Sequence, residues 1–548
     1  MRSAVEFPVV LRVPEIEVEE LSFTYAGKGE PALRNVSLEV DKGEVVLLAG
    51  RSGSGKSTLL KAINGLIPHR YSGTYKGAVR VRGLTVAETP VYELSRIVGT
   101  VMQEVSKQLF LPTVADDVAF GPSNLCIERE EIERRVEEAL SRLGILHLKD
   151  RDVNELSGGE KQRVAIAGVL AMKPEIILMD EPLANLDSEG VATVQEVIKS
   201  FREEGKTVVI AEHRVEEVLE VGVDRVFVMR EGTIVREVER VEELANFADE
   251  LKVPAEAYLP PGIVEAPRIS LPHHSPGVVA VEFRNVSFSY EDKPVLKGIN
   301  LEIREGERVA LLGNNGAGKS TMAKLMLGLL KPTEGSVLVY GRDTHTMEVY
   351  EVAPMVGLVF QDPFSMLFAE TVREEIAFGP RNLGVPPSEI PGRVEEAAER
   401  CFVKHLLDFS PFASSHGEKK RICVASILSM KPRILVLDEP TAGQDYATYT
   451  AFMEFVDSLV NAGVIKTLVL ITHDTDLAVE YTDRTIVLAN GEIVADGPTR
   501  KVLSDSSVLA KGKIRETSLI RLGKRLTGGN YILSRKELAM LARSRTHS

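Results

Sequence analysis

GEVVLLAGRSGSGKSTLLKAINGLI, residues 43–67, passes from an apolar run through a glycine-rich turn into a segment with helical spacing. The run "GEVVLLAG" reads as a buried strand and "KSTLLKAINGLI" as a helix. The G-x-x-x-x-G-K-S between them therefore sits at a strand-to-helix turn, where a phosphate-binding loop must sit. Gly50, Gly53 and Gly55 let backbone N–H groups face phosphates, while Arg51, Ser52, Ser54 and Thr58 complete the loop. Lys56 is placed to reach the β- and γ-phosphates and Ser57 to ligate Mg²⁺.

The pattern returns in "GNNGAGKST", residues 313–321. Gly313, Gly316, Gly318, Lys319 and Ser320 repeat the roles, with Asn314, Asn315, Ala317 and Thr321 filling the loop. Around it the whole first half recurs in order, displaced by about 260 positions. "VEELSFTYAGKGEPALRNVSLEV" (18–40) aligns with "VEFRNVSFSYEDKPVLKGINLEI" (281–303), and "VADDVAFGPSNL" (114–125) with "VREEIAFGPRNL" (372–383). The chain is a tandem duplication. We divide it into an N-terminal extension (1–14), a first copy (15–245), a proline-rich linker (246–278) expected to be extended over 252–277, a second copy (279–505) and a basic tail (506–548). The tail is expected to be solvated or loosely packed, the alternative being a contact with a membrane or a partner.

"IILMDEP" (176–182) and "ILVLDEP" (434–440) are apolar strands that end in paired carboxylates. Asp180 and Asp438 are placed to hold Mg²⁺, as the strand-end carboxylate of a phosphate-loop nucleotidase does. The next residues, Glu181 and Glu439, are candidate general bases for polarising an attacking water. His213 and His473 each close a further apolar run, "TVVIAEH" and "TLVLITH", and their recurrence at one place marks them as catalytic candidates.

Composition narrows the class. Hydrophobic residues make up 44% of 548 and charged residues 27%, an ordinary globular balance. A net charge of −14 argues against a general nucleic-acid binder. Three scattered cysteines outline no disulfide framework or metal cluster, and a reduced compartment is expected. The N-terminus does not read as a signal peptide, and no run is long and apolar enough to span a bilayer, so work at a membrane is expected to go through a partner.

Taken together, these motifs resemble ATP-binding cassettes over nearly all of 15–245 and 279–505. The resemblance implies an α/β fold: two tandem P-loop nucleotide-binding domains, each a RecA-like mixed sheet with an antiparallel β subdomain and an α-helical subdomain. It further implies that Tyr25 and Tyr290 stack on adenine, that Gln103 and Gln361 touch Mg²⁺ and report nucleotide state, and that Asp187 and Asp445 lie between cassettes. In this family two cassettes pack head to tail, so ATP on one phosphate loop is completed by the signature segment of the other. One chain would thus form a pseudo-dimer.

The signature of the first copy is "ELSGGEKQR" (155–163), in which Ser157 and Glu160 form a capping box and Gly158 and Gly159 open a helix toward phosphate. The second copy reads "ASSHGEKKR" (413–421): Ser415 and Gly417 persist, but His416 replaces the first glycine. Histidine adds bulk and restricts φ. Two unequal sites are expected, with Lys56, Glu181 and His213 facing the altered signature.

Three functions compete: the energising subunit of a transporter, a soluble tandem cassette protein acting on ribosomes or nucleic acid, and a module that binds ATP without turnover. The segments from Gln103 to Leu125 and from Gln361 to Leu383 resemble the ATPases of energy-coupling factor importers. That resemblance implies a peripheral ATPase on the cytoplasmic face of the cell membrane. Its partners would be a transmembrane coupling protein and a substrate-capturing membrane protein, and its cargo a vitamin, a vitamin precursor, cobalt or nickel. Tandem sugar-importer ATPases are the nearest rival.

Overall fold

Alternating buried and open positions along Ile16–Tyr25 set up the first layer of the molecule, an antiparallel sheet with one face in the core. The computed structural model describes residues 14–258 except 185, 277–528 except 292 and 443, and 532–538 with 540. Residues 1–13 of the expected extension, the central part of the linker and the end of the tail lie outside the described residues. The chain divides into two units that part after Val253, with the short stretch Asp187–Glu189 belonging to the second.

In the first unit, Ile16–Tyr25 lies between Leu33–Val40 and Gly73–Val81, with Leu84–Thr85 at the edge of a four-stranded antiparallel sheet. The second sheet has six strands in the order Thr233–Val238, Arg225–Arg230, Val45–Ala49, Thr207–Glu212, Ile176–Asp180, Val98–Val101. Neighbours in it run parallel except the antiparallel edge pair, Thr233–Val238 with Arg225–Arg230. Its inner strands are buried on both faces and carry near-continuous Val, Ile and Leu, as a covered parallel sheet must. A core including Phe23, Leu48, Leu59, Ile63 and Val209 joins the two sheets through helix Lys56–Ile63. Helices Val114–Asn124, Arg129–Arg142 and Gly158–Met172 form the helical part, the first capped by Thr113, whose hydroxyl accepts from Asp116 N.

The second unit repeats both sheets strand for strand, with Arg308–Leu312 at the position of Val45–Ala49 and Thr467–Thr472 at that of Thr207–Glu212. Its helical part is Val372–Asn382, Ile390–Arg400 and His416–Leu428.

Two segments differ from the sequence reading. The linker is not extended over its first part: Leu251 and Val253 are buried in the first unit, and Ala255 lies in a core of the second, where its N–H donates to Ser518 Oγ at 2.8 Å. The basic tail is packed rather than loose. Helix Ser518–Thr527 buries Leu519, Ile520, Leu522 and Leu526, and these join Ile532, Leu533 and Leu538 against Leu312, Ala478 and Val487. Its cations lie on the other face, so composition alone concealed an amphipathic helix.

Candidate functional site

Each phosphate loop is shaped by its glycines. Gly53 and Gly55 adopt φ of +78° and +104°, and a Cβ on Gly55 would stand 2.8 Å from Ala32 O. Lys56 is buried and donates to the carbonyls of Gly50 at 2.6 Å and Arg51 at 2.9 Å, which curls the loop around the ammonium. Lys319 does the same with Gly313 at 2.7 Å and Asn314 at 3.0 Å. Burial holds the Lys319 ammonium below the ordinary amine range, partly offset by Glu439 and Asp438. Gly55→Ala would demand a left-handed alanine as well as a backbone clash, at about 1–3 kcal/mol. We expect it to weaken nucleotide binding at the first loop, measurable by titration with a fluorescent ATP analogue.

Ser57 Oγ donates to Asp180 Oδ1 at 2.9 Å. Ser320 bonds Asp438 in the same manner, and Asp438 Oδ1 is buried without a hydrogen-bond partner. Burial raises the pKa of both aspartates despite these bonds and the nearby lysines. A hydroxyl beside a desolvated carboxylate is a hard-oxygen donor set, and an orphaned buried acceptor calls for a cation. These residues fit Mg²⁺.

Glu181 and Glu439 share an unusual backbone. Their φ values are +50° and +45°, a left-handed conformation that a glutamate adopts only where its surroundings enforce it. Glu181 N donates to Ala211 O at 2.9 Å and Glu439 N to Ile471 O at 2.8 Å, which fixes each residue across the neighbouring strand. The two environments then diverge. Burial and the adjacent Glu212 push Glu181 up to about 7, against Lys56 and a hydrogen bond from the exposed Gln103. Burial also acts on Glu439, but the charge and hydrogen bond of His473, with Lys319 and Thr472, outweigh it and leave the carboxyl below its usual value. His473 Nδ1 stands 3.1 and 3.0 Å from the two Glu439 oxygens, whereas His213 Nδ1 is 3.9 Å from Glu181.

Other candidates lie around these centres. Tyr25 Oη is 3.2 Å from Thr58 Oγ1, at the edge of the first loop, and packs edge-to-face on Phe23 and Tyr71. Tyr290 is exposed at the end of its strand against Phe288. Gln361 is exposed after strand Val356–Val359. Asp445 caps helix Tyr446–Asn461 by accepting from Thr448 N, and Asp187 immediately precedes helix Ser188–Glu203.

Both signatures start a helix through a complete capping box: Ser157 with Glu160, and Ser415 with Glu418. Gly158 and His416 are each the first helical residue, and Gly158, Gly159 and Gly417 all keep negative φ. The expected φ restriction at His416 therefore does not arise; what histidine changes is bulk at an exposed helix start. Partial burial, Lys420 and Lys419 hold its imidazole below the ordinary range, against Asp362.

A second replacement escaped the sequence reading although the alignment shows it. Lys420 stands where the first copy has Gln162. It is buried and donates to the carbonyls of Pro440 at 2.5 Å and Ala442 at 3.4 Å, directly after Glu439. Burial lowers its pKa to about 8.

One surface feature recurs in both units. Phe110 and Phe120 meet edge-to-face at 4.8 Å, and Phe368 and Phe378 at 4.7 Å, all four exposed. A helix carboxylate sets each pair: Asp117 Oδ2 accepts from Phe110 N and Leu111 N, both at 2.8 Å, and Glu375 Oε2 from Phe368 N and Ala369 N, both at 2.9 Å. Among the described residues no helix is long and apolar enough to cross a membrane.

The ABC transporter family model matches residues 33–184 and 296–442. A protein of Caldanaerobacter subterraneus, provisionally named ABC transporter ATP-binding protein, is 38% identical, with 96% of this chain and 98% of its own length covered. A protein of the same provisional name from Clostridium perfringens is 37% identical, covering 92% of this chain and 94% of its own. The solved cbiO1 of Clostridium perfringens, part of the ABC transporter complex cbiONQ, is 33% identical with a TM-score of 0.40, covering 44% of this chain and 98% of its own. Two phosphate loops, two strand-end carboxylate pairs and relatives matched over nearly their whole length lead to one conclusion: the chain belongs to the ABC transporter family, as an ATPase that energises transport.

Proposed function

We propose that the chain is the fused ATPase of an energy-coupling factor type importer, working at the cytoplasmic face of the cell membrane. Its two domains pair head to tail, with ATP on each phosphate loop met by the signature of the other copy. Closure on ATP and reopening after hydrolysis move a transmembrane coupling protein that serves a substrate-capturing membrane protein, for a vitamin, a vitamin precursor, cobalt or nickel.

Within each site we assign the roles that the motifs and the family resemblance imply. The curled loop and its lysine bind the phosphates, and Tyr25 or Tyr290 takes the adenine. Mg²⁺, held by Ser57, Asp180 and Gln103 or by Ser320, Asp438 and Gln361, would neutralise phosphate charge. Glu181 or Glu439 orients and deprotonates the attacking water, and His213 or His473 steadies that glutamate and the γ-phosphate. The Lys319–Glu439–His473 site, completed by Ser157, Gly158 and Gly159, is the faster. The Lys56–Glu181–His213 site meets His416, which is bulkier than the glycine of the other signature.

The observation that carries the importer reading is the repeated, exposed aromatic pair, fixed by Asp117 in one unit and Glu375 in the other. Exposed phenylalanines held rigid by hydrogen bonds suit an amphipathic helix from a partner. Affinity purification of the full chain from native membranes is expected to recover a polytopic membrane protein, and Phe110→Ser with Phe368→Ser to lose it. Recovery of ribosomal proteins instead would overturn the reading.

A further inference from the structure

The residue before the catalytic-candidate histidine differs between the copies: Glu212 in the first and Thr472 in the second. Both end the same strand in the same register, Glu212 opposite Ala49 and Thr472 opposite Leu312, and both are fully buried. Each performs one common task, turning the chain after the strand. Glu212 Oε1 accepts from His213 N at 2.8 Å and Arg214 N at 3.3 Å, and Thr472 Oγ1 accepts from Asp474 N at 3.0 Å.

Their second interactions are opposed. The Thr472 hydroxyl donates to Glu439 Oε2 at 3.3 Å, and His473 Nδ1 bridges both oxygens of that same carboxylate. In the first copy, His213 Nδ1 lies 3.1 Å from Glu212 Oε1 and 3.9 Å from Glu181 Oε1. An imidazole Nδ1 carries one proton and so donates to one carboxylate at a time. Glu212 Oε2 is buried without a hydrogen-bond partner, so Glu212 gives Glu181 no bond of the kind that threonine gives Glu439.

We propose that Glu212 is a positioning residue that draws His213 away from Glu181 and slows hydrolysis at the first copy's loop from within that copy. This rests on the reading of Glu181 and His213 as hydrolytic residues, and it is independent of the altered signature. A single strand-end position thereby sets the fast and slow character of the two sites.

The test isolates each site in the full-length chain. With the second glutamate silenced by Glu439→Gln, adding Glu212→Thr is expected to raise kcat about ten-fold with little change in KM. The reciprocal Thr472→Glu, in a Glu181→Gln background, is expected to lower kcat by a similar factor. Imidazole ¹⁵N resonances of the full chain give a readout that needs no change at Glu212 or Thr472. The His473 signal is expected to move on Glu439→Gln and the His213 signal to stay in place on Glu181→Gln. A His213 resonance that follows Glu181 overturns the proposal, as does an unchanged kcat in Glu212→Thr. If His213→Ala leaves turnover in the Glu439→Gln background unaltered, the hydrolytic reading itself falls instead.

Discussion

Glu439→Gln is expected to lower steady-state ATP turnover of the full chain by more than ten-fold, to the floor set by the other site, while Glu181→Gln keeps more than half. Loss of a positioned general base costs about 10²–10⁴-fold at the site that loses it, so the chain's residual rate reports whichever site remains. At the Glu439 site the carboxylate is ionised and bonded to His473 and Thr472, and in the proposed pairing it meets an intact Ser-Gly-Gly helix start. At the Glu181 site a second buried acid, Glu212, stands beside the proposed base with Oε1 3.1 Å from His213 Nδ1, and in the proposed pairing the opposing helix starts at His416. Losing a hydrogen bond to a charged group is worth about 1.5–3 kcal/mol, or roughly one to two factors of ten, and the two bonds that Thr472 and His473 give Glu439 have no counterpart at Glu181. Phosphate release by the single variants under saturating ATP decides the matter, and equal losses would sink the asymmetry.

The phosphate loops and strand-end carboxylates were legible in the sequence because their chemistry allows few residues. A loop that turns through φ of +78° and +104° needs glycine, and a buried strand end beside a phosphate loop stands out when it carries two acids in a row. Less legible was anything set by which neighbour a side chain chooses. Glu212 reads as one more acid in "IAEHR", and only the distances show that it engages His213. The signature's capping box was legible, but not that the helix starts at Gly158 and His416 with an ordinary φ that histidine adopts as readily as glycine. Lys420 was visible in the alignment of the two signatures. Its importance lies in reaching the carbonyls of Pro440 and Ala442, a tertiary fact. In the tail, a basic composition outweighed the local signal: the apolar spacing of "SLIRLGKRL" is that of an amphipathic helix.

That tail supports the second large effect. Arg535→Ala is expected to destabilise the second unit by about 3–5 kcal/mol, the cost of leaving a buried charge without its partner. Arg535 and Asp476 are 4% and 1% exposed, and Arg535 Nη2 meets Asp476 Oδ2 at 2.7 Å. Thr517 Oγ1 donates to the other Asp476 oxygen at 2.7 Å, and Arg535 N donates to Glu480. Asp476 and Glu480 belong to helix Thr475–Tyr481, which begins two residues after His473. Removing the guanidinium would therefore leave Asp476 without its cation, three residues after His473, and loosen the apolar layer formed by Leu519, Ile520 and Leu533. Against a whole-domain stability of about 5–15 kcal/mol this is a large fraction, and a midpoint shift on the order of 10 °C follows. Thermal unfolding of the full chain measures it. Arg535→Ala with Asp476→Leu should recover much of the loss, because the penalty belongs to the unpaired carboxylate rather than to the missing bond. A loss below about 1 kcal/mol in the single variant, the range of an exposed ion pair, would show that solvent reaches Asp476 and that the tail does not clamp this helix.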